Sequence, residues 1–177
     1  LGQFQLEANC DPQLFTGDGL AKMHAQLDLL VGKARTAARE LGMDVVLMGI
    51  LPTMGKRHLG LDGMVPSARY LQLNKVVTEL RGGKFDFSIK GLDELILEHD
   101  SVMLEACNSS FQVHLQVPAA EIVRSYNAAH VASAPLVALS GNSPLLFGQR
   151  LWQETRIPLF EQSLNIGARE DGAPRSS

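Results

Sequence analysis

The chain has 177 residues, 45% hydrophobic and 20% charged, which excludes a wholly disordered chain and suits one ordinary globular domain with a core of its own. A formal net charge of -3 leaves no global basic excess, so a nucleic-acid partner is not expected. The two cysteines, Cys10 and Cys107, match no metal-ligand or disulfide spacing, and no apolar run approaches the roughly 20 residues a membrane helix needs.

That cysteine usage makes a cytoplasmic thiol protein the default expectation, and the first residues, Leu1, Gly2 and Gln3, resemble neither a signal nor a transit peptide. The chain does not start with Met, so a longer parent is expected. From Phe4 to Ala8, Phe4, Leu6 and Ala8 alternate with Gln5 and Glu7, the period of a half-buried strand. After turn residues at Asp11, Pro12, Gly17 and Asp18, the spacing of Leu20, Met23, Leu27, Leu30, Val31, Ala34, Ala38 and Leu41 predicts a helix closed by Gly42. The apolar run from Asp44 to Leu51 predicts a central strand, broken by Pro52 and Gly55.

Pro66 is a good first helical residue, and Tyr70, Leu73, Val76, Val77 and Leu80 predict a second amphipathic helix ending at Gly82 and Gly83, which read as a C-cap rather than a phosphate cradle. Phe85, Phe87 and Ile89 alternate with Lys84, Asp86, Ser88 and Lys90, a strand. Phe111, Val113, Leu115 and Val117 alternate with Gln112, His114 and Gln116 in the same way. A long helix follows from Ala119, which Pro135 kinks or divides. The mixed stretch from Leu145 to Ser163 carries Arg150, Glu154 and Arg156. Residues 1–166 are read as one core segment and residues 167–177 as a polar tail or linker.

The elements mix without a βαβ rhythm, which predicts an α+β fold: a mainly antiparallel sheet with helices packed on one face. The other face could then present Glu7 and His114 in a polar pocket, where carboxylate and imidazole can hold a divalent ion; the competing reading is a solvated sheet face. Arg69, Arg150 and Arg156 carry the planar fork that clamps phosphate or carboxylate, although surface arginines are common. Glu105 is a further candidate acid, and Cys107 reads as a small structural thiol. No P-loop, dinucleotide fingerprint, zinc-protease helix or serine elbow is present.

VMLEACNSSFQVHLQV at Val102 to Val117, NSPLLFG at Asn142 to Gly148 and LWQETRIPLFEQS at Leu151 to Ser163 together resemble the glutamate–cysteine ligase family, in its bacterial type 2 carboxylate–amine ligase branch. QLEAN at Gln5 to Asn9, GILPT at Gly49 to Thr53 and SARYLQLN at Ser67 to Asn74 are similar to the same family. The resemblance implies a glutamine-synthetase-like catalytic fold, present in part. It implies an ATP-dependent ligase that phosphorylates the side-chain carboxylate of glutamate or a related acid and joins it to an amine such as cysteine.

By position, the resemblance makes Glu7 and His114 ligands of Mg2+, and Arg69, Tyr70, Gln112 and Arg156 residues near substrate or nucleotide, with ATP as co-substrate. It also places a strand with a glutamate-x-glutamate pair before Gln3 and further strands after Ser163. The expected partners are therefore glutamate, an amine and ATP, with neither nucleic acid nor membrane, and pairing into a homo-oligomer is left open. A non-catalytic ligase-like module that binds a metabolite or serves as a partner domain is the competing reading.

Overall fold

The computed structural model describes residues 2–81 and 84–164, so the expected cap at Gly82 and Gly83 and the tail at 167–177 lie outside the described residues. The fold is α+β. Helices α1 (Gly19–Glu40), α2 (Ala68–Arg81), α3 (Ile122–Ser140) and α4 (Arg156–Leu164) accompany strands β1 (Phe85–Lys90), β2 (Glu94–His99), β3 (Leu145–Leu146) and β4 (Gln149–Arg150). The chain divides into two compact units, Phe4–Leu47 and the combination of Leu1–Gln3 with Met48–Ser177.

The Phe4–Leu47 unit is built on α1. Its end follows from Gly42, whose φ of +68° suits a residue without a Cβ. Met43 N donates to Ala38 O at 2.9 Å and Gly42 N to Arg39 O at 3.0 Å, the paired bonds of a Schellman closure. Upstream, Gln26 grips Asp11 twice: its Nε2 donates to Asp11 Oδ2 at 2.7 Å, and its Oε1 accepts from Asp11 N at 3.1 Å.

In the larger unit, β1 and β2 pair antiparallel with Phe87 opposite Leu97 and Ile89 opposite Leu95. Phe87, Ile89 and Leu95 are buried while Asp86, Ser88 and Lys90 stay exposed, so the alternation in β1 is realised as the sequence predicts. Met103, Leu104, Cys107, Leu146, Leu151 and Leu159 complete the core with Ile50, Met54, Leu59 and Met64. The Gln162 side chain of α4 covers part of the β1 backbone, donating from Nε2 to Ser88 O at 2.7 Å and accepting from Ser88 N at 3.0 Å. That satisfies strand groups that would otherwise need a further strand or water.

The short β3–β4 hairpin turns through Phe147 and Gly148, both left-handed, with φ of 51° and 83°. Its partner is the β1–β2 turn: Asp93 receives Arg150 Nε at 3.0 Å, Arg150 Nη2 at 2.9 Å and Arg150 N at 2.8 Å. Those bonds hold the Asp93 carboxyl down at about 2. Trp152 Nε1 donates to Lys90 O at 2.9 Å beside it.

The broad sheet is corrected. The described residues form two separate two-stranded antiparallel sheets, and the segments 4–8, 44–51 and 111–117 join no ladder. Alternation states which side chains would share a face, but a strand needs a neighbour to take up its N–H and C=O groups, and these segments have no ladder neighbour here. Leu6, Val46, Leu47, Phe111, Val113 and Leu115 are accordingly exposed. Helix α3 runs through Pro135 rather than dividing there, and none of its residues is buried. The picture of helices layered on one sheet face is therefore replaced by α4 against a hairpin. Among the described residues no helix is long and apolar enough to cross a membrane.

Candidate active-site residues

Of the six candidates, Arg156 is held most tightly. It opens α4, and its Nε and Nη2 donate to Glu154 Oε1 and Oε2, each at 2.5 Å, a bidentate fork. Its Nη1 donates to Ser109 O at 2.6 Å. Ser143 Oγ donates to Glu154 Oε1 at 2.5 Å and lies 3.4 Å from Arg156 N. Gly49 is the backing of this knot: a Cβ there would stand 2.6 Å from Asn142 Oδ1 and 2.8 Å from Arg156 Nε, so the Asn142 and Arg156 side chains would have to shift. Ser109 N donates to Gly49 O at 2.8 Å, so four stretches distant in sequence meet around one ion pair.

Burial pushes the Glu154 carboxyl up, but the hydrogen bonds from Arg156 and Ser143, aided by the Arg156 charge, outweigh it and hold the carboxyl below its ordinary value. The same bond to Glu154 raises Arg156. A guanidinium already answered by a carboxylate keeps spare N–H donors but offers little net charge to an anion. Arg156 thus works first as a tie that fixes the start of the segment leading to His114.

His114 and Gln112 lie on that segment, both exposed, with His114 Nε2 3.3 Å from Gln112 Oε1. The structure brings these two candidates together, as residues two apart on one side of the chain. Arg69 and Tyr70 sit in the first turn of α2. Tyr70 packs partly against the core, and the exposed Arg69 guanidinium carbon lies 5.9 Å from its ring centroid. Glu7 belongs to the Phe4–Leu47 unit, exposed, with its Oε1 3.5 Å from Asn9 Nδ2.

No group of three or more His, Cys, Asp or Glu among the described residues is placed to hold a metal ion. Magnesium favours a near-octahedral oxygen shell, and one carboxylate with one imidazole does not supply it. The described residues therefore do not amount to a magnesium site. Glu105 is half-buried, and desolvation raises its carboxyl. Cys107 is buried, and burial and then the nearby Glu105 charge push its thiol up to about 12, in keeping with a small thiol packed in the core.

Sequence reasoning named Glu154 beside Arg150 and Arg156 without giving it a role, and gave none to Ser143, Ser109 or Asp93. The Glu154–Arg156 spacing is visible in the sequence, but nothing local says that Ser109 and Ser143 converge on it.

The family model described as glutamate-cysteine ligase family 2 matches residues 1–172. The chain belongs to this family. No curated protein matches the chain, and neither does any solved structure. Membership of glutamate-cysteine ligase family 2 carries a ligase-type, glutamate-cysteine ligase-like activity, and the segments quoted above for the resemblance all lie within the matched span.

Proposed function

We propose that the protein is an ATP-dependent carboxylate–amine ligase acting on glutamate or a closely related acid. The observation that carries the reading is the family match over residues 1–172. The chemistry is balanced without a protein nucleophile. A carboxylate oxygen of the acid attacks the terminal phosphorus of ATP, ADP leaves, and an acyl phosphate forms; the amine nitrogen then attacks the acyl carbon, loses a proton and expels inorganic phosphate.

In this reading His114 and Gln112 face the transferring phosphoryl group with a polar edge of imidazole and amide. Arg69 and Tyr70, at the start of α2, bind the acid, with the guanidinium supplying charge and the ring limiting its freedom. Arg156 and Glu154 hold the backbone at Ser109 and so set where the His114 segment begins. ATP, glutamate and an amine are the proposed partners.

The intermediate offers the test. The full-length protein incubated with Mg-ATP, glutamate and hydroxylamine should form glutamyl hydroxamate, and His114→Ala should lower its rate by at least about tenfold, the scale of one lost transition-state contact. A folded, full-length protein that forms no hydroxamate across a panel of acids would instead support a binding module without catalysis.

A further inference from the structure

A cleft of about 540 Å3 opens between α2 and the chain leaving β2, away from the Arg156 knot, with Leu59, Leu61, Asn74, Lys75, Thr78 and Asp100 among its walls. Its two sides are pinned together. Asn74 Oδ1 accepts from Val102 N at 3.0 Å, and one turn further along α2 Thr78 Oγ1 donates to Asp100 O at 3.2 Å. Because Asn74 spends its oxygen on the backbone, its Nδ2 donors remain for a ligand. Lys75 Nζ is only loosely engaged, 3.9 Å from Glu79 Oε1, with both side chains about two-thirds exposed at 66% and 65%.

Across the cleft, Asp100 makes no salt bridge among the described residues; Lys84, whose ammonium feels the Asp100 charge, is bonded to Glu98 at 2.7 Å. The helix side thus offers two donors, one of them cationic, and the opposite side a carboxylate; Leu59 and Leu61 add an apolar wall. A carboxylate and an ammonium on one carbon, with a short uncharged side chain, complement this arrangement. A second carboxylate would meet Asp100 and Glu79, so a dicarboxylate is disfavoured.

We propose that this cleft binds a small α-amino acid as its zwitterion, with the carboxylate on Asn74 Nδ2 and Lys75 Nζ, the ammonium on Asp100 and the side chain against Leu59 and Leu61. Its use as the amine substrate rests on the ligase reading above; the binding does not.

The test is an amide-resolved NMR titration of the intact chain without nucleotide, using L-alanine, propionate and ethylamine as probes. L-Alanine should give saturable shifts at Asn74, Lys75 and Asp100, with each single-charge probe at least about tenfold weaker. Asp100→Asn should weaken alanine at least about tenfold without weakening propionate, and Lys75→Gln should weaken both. Asp86→Asn, an exposed acid on β1, serves as the control and should change nothing. No saturable shift with alanine on the order of 50 mM, or alanine binding indifferent to Asp100→Asn, would overturn the proposal. Alanine binding in a protein that makes no hydroxamate would sink the ligase reading and leave the cleft standing; hydroxamate formation without alanine binding would do the reverse.

Discussion

At the scale of single residues, the Glu154–Arg156 pair is the interaction with the most to lose. Glu154 is buried and accepts from both Arg156 and Ser143, so Glu154→Ala leaves a partly buried guanidinium without its counter-charge. We expect it to destabilise the fold by about 2 kcal/mol, readable as a lower urea midpoint at unchanged slope. The sign of the pH effect follows from the lowered carboxyl. Its contribution is complete above the ordinary value of 4.5 and is lost as pH falls below that through the folded-state value. Glu154→Gln should therefore flatten the fall of the urea midpoint in that acid window.

The two thiols divide in the same way. Cys107, buried and held protonated, should react with a thiol reagent only on unfolding, whereas partly exposed Cys10 should react in the native protein. Two fast-reacting thiols would contradict the core assignment.

Among the elements, α1 and β1 were legible because their signals are local, whereas β2, the partner of β1, was not read from the sequence. Gly42 supplies the left-handed stop of α1, and Phe87 and Ile89 meet their partners across a turn of three residues. The segment around His114 was not legible in that sense. Its alternation names a face but no neighbour, and the pairing a strand needs is a long-range fact. Helix α3 poses the converse problem, for its apolar residues are evident in the sequence but find no burial among the described residues, with Val131 79% and Leu139 86% exposed. Apolar surface of this extent should bind the dye ANS. Val131→Lys and Leu139→Lys should reduce that fluorescence while moving the unfolding free energy by no more than about 0.5 kcal/mol. A loss of about 2 kcal/mol or more from either would mean that α3 is covered in solution.

For the molecule as a whole, the α+β class and the family were legible from quoted segments spread along the chain, whereas the convergence of Gly49, Ser109, Ser143 and Arg156 was not. The resemblance pointed to Glu7, Arg69, Tyr70, Gln112, His114 and Arg156. Of these, Gln112 and His114 meet, Arg69 and Tyr70 adjoin, and Arg156 is tied to Glu154. A side chain's type and period show which chemistry it can perform; what already occupies it depends on residues far away in the chain, as Ser109 and Ser143 do for the Glu154–Arg156 pair.

The central claim is that this chain supports ligation of an acid to an amine at the expense of ATP. Its most direct test is ADP release by the full-length protein with Mg-ATP, glutamate and a panel of amines, beside His114→Ala. The expected result is release that requires acid and amine together and falls at least about tenfold in the variant. Release that is indifferent to glutamate and amine, or no release from a folded, full-length protein, would contradict it.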